Sequence, residues 1–112
     1  MADCLFCRIV ARQLEAKVVF EDNKLVAIHD INPAAPVHIL LIPKKHLGSL
    51  SEVSEEDVEL LGHLQVTASR LARELNLESY RLVNNCGVSA GQSVFHIHYH
   101  LLGGRNFQWP PG

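Results

Sequence analysis

The sequence predicts an α+β domain: an antiparallel five-stranded sheet with one short and one long helix. Three observations lead there. Five apolar stretches have strand-like composition, and the links between them are mostly too short for the crossovers that a parallel sheet needs. The stretch from Ser54 to Leu75 carries helical periodicity instead. The chain is 112 residues long, with no internal repeat, low-complexity tract or linker. It therefore reads as a single domain, 1–112, large enough to bury a core without disulfides.

Taken in order, "CRIVARQL" (7–14) is read as the short helix. "KVVFED" (17–22) and "KLVAIHD" (24–30) read as two strands joined by the turn residues Asp22 and Asn23. "INPAAPV" (31–37) is a proline-bearing loop, and "HILLIP" (38–43) is a strand stopped by Pro43. Ser54 with Asp57 fits a capping box, and Glu55, Glu56 and Asp57 place negative charge in the first helical turn. Leu61, Leu64, Ala68, Leu71 and Leu75 then step by three and four along one face. "YRLVNN" (80–85) reads as a strand, "CGVSAGQS" (86–93) as a loop and "VFHIHYHLLG" (94–103) as the last strand.

Composition excludes several functional classes. The formal charge of −2 and pI near 6.4 argue against a general nucleic-acid binder, though not against a protein that holds one nucleotide. No apolar run approaches the roughly 20 residues needed to cross a bilayer. The opening "MADCLFCRIVARQ" lacks the layout of a signal peptide, so a cytosolic location is expected. Cys4, Cys7 and Cys86 are too few for a disulfide framework. "CLFC" stays open between structural cysteines, a redox pair and half of a metal site; no βαβ pattern surrounds it to favour a thioredoxin-like role.

The chemistry concentrates in "HIHYHLL" (96–102). A strand has a side-chain period of two, so His96, His98 and His100 share one face while Ile97, Tyr99 and Leu101 turn to the core. Alternate Cα atoms lie about 6.5–7 Å apart, close enough for two imidazoles to converge on a phosphate or a metal ion. The preceding loop favours phosphate. Asn85, Gln92 and Ser93 are neutral donors, and Gly87 and Gly91 can aim backbone N–H groups at an anion. A catalytic metal would more often draw on a carboxylate, and none lies between Glu78 and the C-terminus. Flanked on both sides, His98 is the best placed to attack phosphorus. It must be neutral to do so, and partial burial and charged neighbours both favour that form. A backbone carbonyl accepting from one ring nitrogen would free the other. Read alone, Asp30 is an ordinary turn residue, His38 a satisfied core or edge histidine and the C-terminal tail a frayed end. His29 and His63 belong to no motif, and Cys86 reads as an unpaired small residue.

"HIHYHLL" resembles the histidine-triad signature. "DINPAAPVHILLIPKKH", "GQSVFHIHYHLLGGR" and the terminal "WPPG" are similar to the Hint branch, the histidine-triad nucleotide-binding proteins, and the likeness runs in order from "DCLFCRI" to the last residue. The resemblance implies a HIT-like fold. It puts the nucleophile on His98, which would form a nucleotidyl-histidine intermediate that water hydrolyses. It adds His38 and His100 to the catalytic set and gives Asp30 the ribose hydroxyls, which suits an acceptor-only group. Asn85, Gln92 and Ser93 would line the phosphate and leaving-group region, with Leu5, Phe6, Ile9, Ile28, Ile31 and Leu40 forming an apolar slot for the base. It further implies a homodimer in which the tail, with Trp109, reaches the partner's site.

Some histidine-triad proteins bind zinc through two N-terminal cysteines, the histidine of a "PKKH"-like segment and the first triad histidine; here these are Cys4, Cys7, His46 and His96. Four protein ligands would make a structural site. The expected activity is hydrolysis of purine nucleoside monophosphates that carry an amine on the phosphate, with no cofactor required for the chemistry. Three rivals stand beside it: a binding or scaffold protein with incidental hydrolysis, an enzyme using the triad as metal ligands, and a dinucleoside polyphosphate hydrolase. The retained middle histidine speaks against the first, and the "WPPG" ending against the last.

Overall fold

A computed structural model describes residues 4–112. Its elements are α1 (Leu5–Val10), β1 (Val18–Glu21), β2 (Leu25–His29), β3 (Val37–Pro43), α2 (Val58–Glu74), β4 (Tyr80–Val83) and β5 (Tyr99–Gly103). The five strands form one antiparallel sheet in the order β1-β2-β3-β5-β4. This is the α+β arrangement that the sequence predicts. The link from β3 to β4 carries α2 across one face of the sheet.

Local chemistry sets the element ends. Both helices stop in the same way, with a left-handed residue after the cap: Arg12 at φ 60° and Asn76 at φ 58°. In α1, Gln13 N–H donates to the Arg8 carbonyl at 2.8 Å and Arg12 N–H to that of Ile9 at 3.0 Å. In α2, Leu77 and Asn76 repeat the pattern on Ala72 and Arg73 at 2.9 and 3.1 Å. The short helix therefore begins and ends earlier than the expected 7–14, because Cys4 caps it and Arg12 turns the chain away. Ahead of α2, the Ser54 amide donates to Asp57 Oδ2 at 3.0 Å, closing the capping box over one 3₁₀ turn. Asp22 shapes the β1–β2 turn by accepting from the amides of Lys24 and Leu25 at 2.8 and 2.9 Å.

The sheet separates two apolar clusters. On one face Leu25, Ala27, Ile39, Leu41, Ile97, Tyr99 and Leu101 meet Leu64, Ala68, Leu71 and Ala72 of α2. On the other, Val26, Ile28, Leu40 and Ile42 meet Phe6 of α1. Two expectations need correction. Leu75 is not on the core face: it is the C-cap of α2 and 37% exposed, and Leu77 packs against the core after the turn. The last strand begins at Tyr99 rather than at residue 94, because β4 ends at Val83, opposite His100, and leaves 94–98 without a ladder partner on that side. There the backbone bonds elsewhere, with Ile97 N–H on the Leu47 carbonyl at 2.7 Å. The alternation of side chains persists even so, with Ile97, Tyr99 and Leu101 all buried.

Leu64 sits fully buried at the contact between α2 and the sheet. Leu64→Ala should lower the unfolding free energy by about 2–5 kcal/mol in denaturant titrations. A loss below about 1 kcal/mol would mean that α2 does not seal this core.

Candidate active site

Four histidines occupy the α1 side of the sheet and its approach, and hydrogen bonding fixes the tautomer of three of them through the backbone. His96 Nε2 lies 2.7 Å from the Pro43 carbonyl, so that nitrogen carries the proton and Nδ1 keeps its lone pair. His98 Nδ1 lies 2.8 Å from the His96 carbonyl and donates to it, which leaves Nε2 with a free lone pair. At His38 the sense reverses. Its Nδ1 accepts from the Ala34 amide at 3.0 Å, so Nε2 holds the proton in the neutral ring and donates to His100 Nδ1 at 2.9 Å. His100, accepting at Nδ1, must then hold its own proton on Nε2. The outcome is one nucleophilic nitrogen on His98 beside a neutral N–H donor on His100, with ring centroids 5.0 Å apart.

Burial supports the same protonation states. It lowers the pKa of His98 against the opposing pull of the His96 carbonyl and Asp30, and lowers that of His38 against Asp30. His100 is pushed down to about 4 by burial and by the neighbouring His98 and His38. Asp30 Oδ2 stands 3.5 Å from His38 Nε2, while its Oδ1 accepts from the Asn32 amide at 2.7 Å.

His98 and His100 open into a groove of about 1390 Å³. Leu5, Phe6, Ile9, Ile28, Ile31 and Leu40 all line it, as do Asp30 and Ser93. Phe6 lies edge-on to His98 at 4.8 Å between centroids, and Ile31 is a rim residue, 91% exposed. The groove also takes in the segment 12–18 and Val94, which the sequence reading did not single out.

Other expected site residues lie elsewhere. Gln92 is buried behind the loop, where its amide accepts from Gly87 N–H at 2.9 Å and donates to the carbonyls of Gly48 and Val94 at 2.8 and 3.0 Å. It shapes the loop and has no donor left for a ligand. Gly87 and Gly91 do take positive φ, 97° and 101°, but their amides bond to Gln92 and to the Val88 carbonyl within the loop. The expected backbone cradle for an anion is thus already filled. Asn85 lies by Gly91, outside the groove lining. The C-terminal segment is pinned rather than frayed: Arg81 donates to the Gln108 carbonyl at 2.9 Å, and the Phe107 ring meets the guanidinium groups of Arg81 and Arg105. Trp109 beyond it is 83% exposed and does not line the groove. The residue missed in the sequence is Asn84, whose Nδ2 donates to the His98 carbonyl at 3.0 Å. Its place next to Asn85 gave no signal.

A second cluster lies on the other side of Phe6. Cys4 Sγ is 3.4 Å and Cys7 Sγ 3.6 Å from His96 Nδ1, Cys7 Sγ is 3.2 Å from His46 Nδ1, and the two Nδ1 atoms are 3.1 Å apart. In tetrahedral zinc the usual bond lengths set N···N at about 3.3 Å and S···N at about 3.6 Å. The lone pair of His96 faces the cluster because its other nitrogen is tied to Pro43. These residues fit a structural zinc. Asp30, His38 and His100 also converge within 4.8 Å, but they do not fit a metal. A metal at His38 needs the lone pair of Nε2, and the Ala34 amide already holds the acceptor nitrogen of that ring.

The low pKa of His100 has a consequence for stability. The unfolded chain takes up a proton at this residue near pH 6.5, and the folded chain only near 4. The folded state therefore loses stability as the pH falls through that window. Wild type should lose more unfolding free energy than His100→Asn between pH 6.5 and 4 in denaturant titrations. Parallel curves would show that His100 is not held neutral by its surroundings.

The family model for the scavenger mRNA decapping enzyme C-terminal binding region matches residues 3–108. An uncharacterized HIT-like protein of Synechocystis is 50% identical over 111 residues, which cover 98% of this chain and 97% of the relative. The crystal structure of a HIT family hydrolase from Legionella pneumophila superposes with a TM-score of 0.97 at 48% identity, over 98% of this chain and 100% of the other. A zinc-bound histidine triad family protein from Mycobacterium smegmatis is 34% identical with a TM-score of 0.81, over 99% and 81% of the two chains. By its sequence, its fold and the arrangement of its histidines, the chain belongs to the HIT-like family and resembles the hydrolases within it.

Proposed function

We propose that this protein is a Hint-branch hydrolase that cleaves purine nucleoside 5'-phosphoramidates through a nucleotidyl intermediate on His98. The observation that carries this reading is the pinned ring of His98, whose Nδ1–H is held by the His96 carbonyl so that Nε2 keeps its lone pair on a ring that lines the groove. The base lies in the apolar slot of Leu5, Phe6, Ile9, Ile28, Ile31 and Leu40, and the ribose hydroxyls donate to Asp30. His98 Nε2 attacks phosphorus, a P–N bond to the ring forms, and the bond to the amine breaks as the amine nitrogen takes up a proton from solvent and leaves as the free amine. Water then cleaves the nucleotidyl-histidine and releases the nucleoside monophosphate. The Nε2–H of His100 and the hydroxyl of Ser93 offset charge growing on the phosphate oxygens. In this scheme Gln92 and Asn85 act through the loop that presents Ser93.

The working form is proposed to be a cytosolic homodimer. β4 is an edge strand, and Tyr80 on it and Val58 and Val66 on α2 are exposed apolar residues suited to a second copy. Trp109 would then lie against the partner's groove. No helix among the described residues is long and apolar enough to cross a membrane. Neither nucleic acid nor membrane is a proposed partner.

The direct test mixes purified protein with an adenosine monophosphate amine conjugate and follows nucleotide release. Wild type should turn over, and His98→Ala should be slower by roughly a thousandfold or more. Binding without turnover in wild type would favour a nucleotide-binding protein, and turnover surviving in the variant would move the chemistry off His98.

Cys4, Cys7, His46 and His96 are proposed to hold one structural zinc, which would tie α1 to the sheet and take no part in the reaction. Elemental analysis should find about one zinc per chain in wild type, and none in Cys4→Ser/Cys7→Ser, whose melting temperature should be lower. Metal-free wild-type protein with a melting temperature indifferent to chelator would remove zinc from the account.

A further inference from the structure

We propose that Asn84 is the positioning residue for His98, holding its main chain where the sheet no longer does. This rests on the hydrolase reading above for its effect on rate, and on geometry alone for its effect on the ring.

β5 is paired with β3 from Tyr99 onward and with β4 from His100 onward. Leu41 faces Tyr99 and Val83 faces His100, and with those pairs both ladders end. A regular continuation of the β4 register would set Asn85 opposite His98. Instead β4 stops at Val83, so the nucleophile is the first residue outside the ladder. Its carbonyl is taken by a side chain: Asn84 Nδ2 donates to it at 3.0 Å. Asn84 Oδ1 is buried with no partner among the described residues, so the bond to His98 is what orients the amide.

The other restraints on this segment act differently. His98 Nδ1–H on the His96 carbonyl fixes the ring against its own main chain, two residues back. Ile97 N–H on the Leu47 carbonyl ties the segment to the chain beyond β3. Among the described residues, the Asn84 bond alone ties the His98 peptide itself to β4, whose partner β5 carries His100. It therefore sets the distance and tilt between the attacking nitrogen of His98 and the N–H of His100. In-line attack is sensitive to displacements on the order of 1 Å, which cost about a hundredfold in rate. Asn84 lies outside the groove lining, so its loss leaves the nucleotide-binding surface in place.

The test is Asn84→Leu, which keeps the branched shape and removes the donor, with Asn84→Ala as the second variant should the first fail to fold. Five quantities are read: kcat and KM on the adenosine monophosphate amine conjugate, Kd for adenosine monophosphate by calorimetry, the melting temperature, and the His98 Nδ1–H resonance in ¹⁵N-labelled, ligand-free protein. We expect kcat to fall about 10- to 100-fold, Kd to stay within about twofold, and the His98 resonance to shift or broaden. A kcat within about twofold of wild type overturns the proposal. Parallel losses of rate, affinity and melting temperature overturn it as well, since they describe a general structural role. If wild type itself does not turn over, the hydrolase reading fails separately. The resonance then decides, and an unchanged His98 signal in the variant overturns the positioning role.

Discussion

A histidine can act as nucleophile, donor or ligand according to which ring nitrogen bears its proton, and here the main chain makes that choice. The Pro43 carbonyl, the His96 carbonyl and the Ala34 amide each engage one nitrogen of a different ring, and His38 passes the choice on to His100. Everything chemical about the site follows from these four bonds. Two of these bonds separate neighbouring clusters, since His96 offers its lone pair to the thiols while His98, two residues on, keeps its free lone pair on a ring that lines the groove. Such bonds hold only if the backbone groups are rigidly placed. Pro43 ends a strand buried on both faces, and Ala34 sits in a proline loop closed by the Asp30 amide on the His38 carbonyl at 3.0 Å.

The sheet divides the labour. One face is given to α2 and to the larger apolar cluster, which keeps the five strands in register. The other can then afford histidines and an open groove. α1 covers part of that second face, but a six-residue helix has little stability of its own. It is held by Phe6, buried against Val26, Ile28, Leu40 and Ile42, and by the contacts of Cys4 and Cys7 with His46 and His96. Leu5, Phe6 and Ile9 therefore depend on anchors in the first turn of the helix to remain a wall of the groove.

Much of this was legible in the residues. The alternation in "HIHYHLL" placed three imidazoles on one face, and the capping pair Ser54 and Asp57 marked the start of the long helix. The apolar groove residues came from likeness to a family rather than from pattern, because nothing in their spacing tells a groove wall from a core. What stayed hidden was long-range hydrogen bonding. Gln92 looks like a donor in a polar loop, yet three partners from that loop and from the Gly48 turn consume its amide. The early end of β4 was missed as well, although Asn84 and Asn85 are strand-poor residues of the kind that bounds a strand.

That early end matters more than a boundary usually does. Carried on to residue 94, β5 would hold His96 and His98 in a pleated ladder, each peptide committed to a neighbouring strand. The His96 carbonyl would then be drawn towards a strand partner, in competition with His98 Nδ1. Releasing 94–98 from the ladder leaves that carbonyl free to orient the His98 ring and lets Ile97 N–H reach Leu47, next to His46 of the Cys/His cluster. The histidines thus need a strand for their alternation and the absence of one for their tautomers. The chain meets both demands by starting β5 one residue after His98.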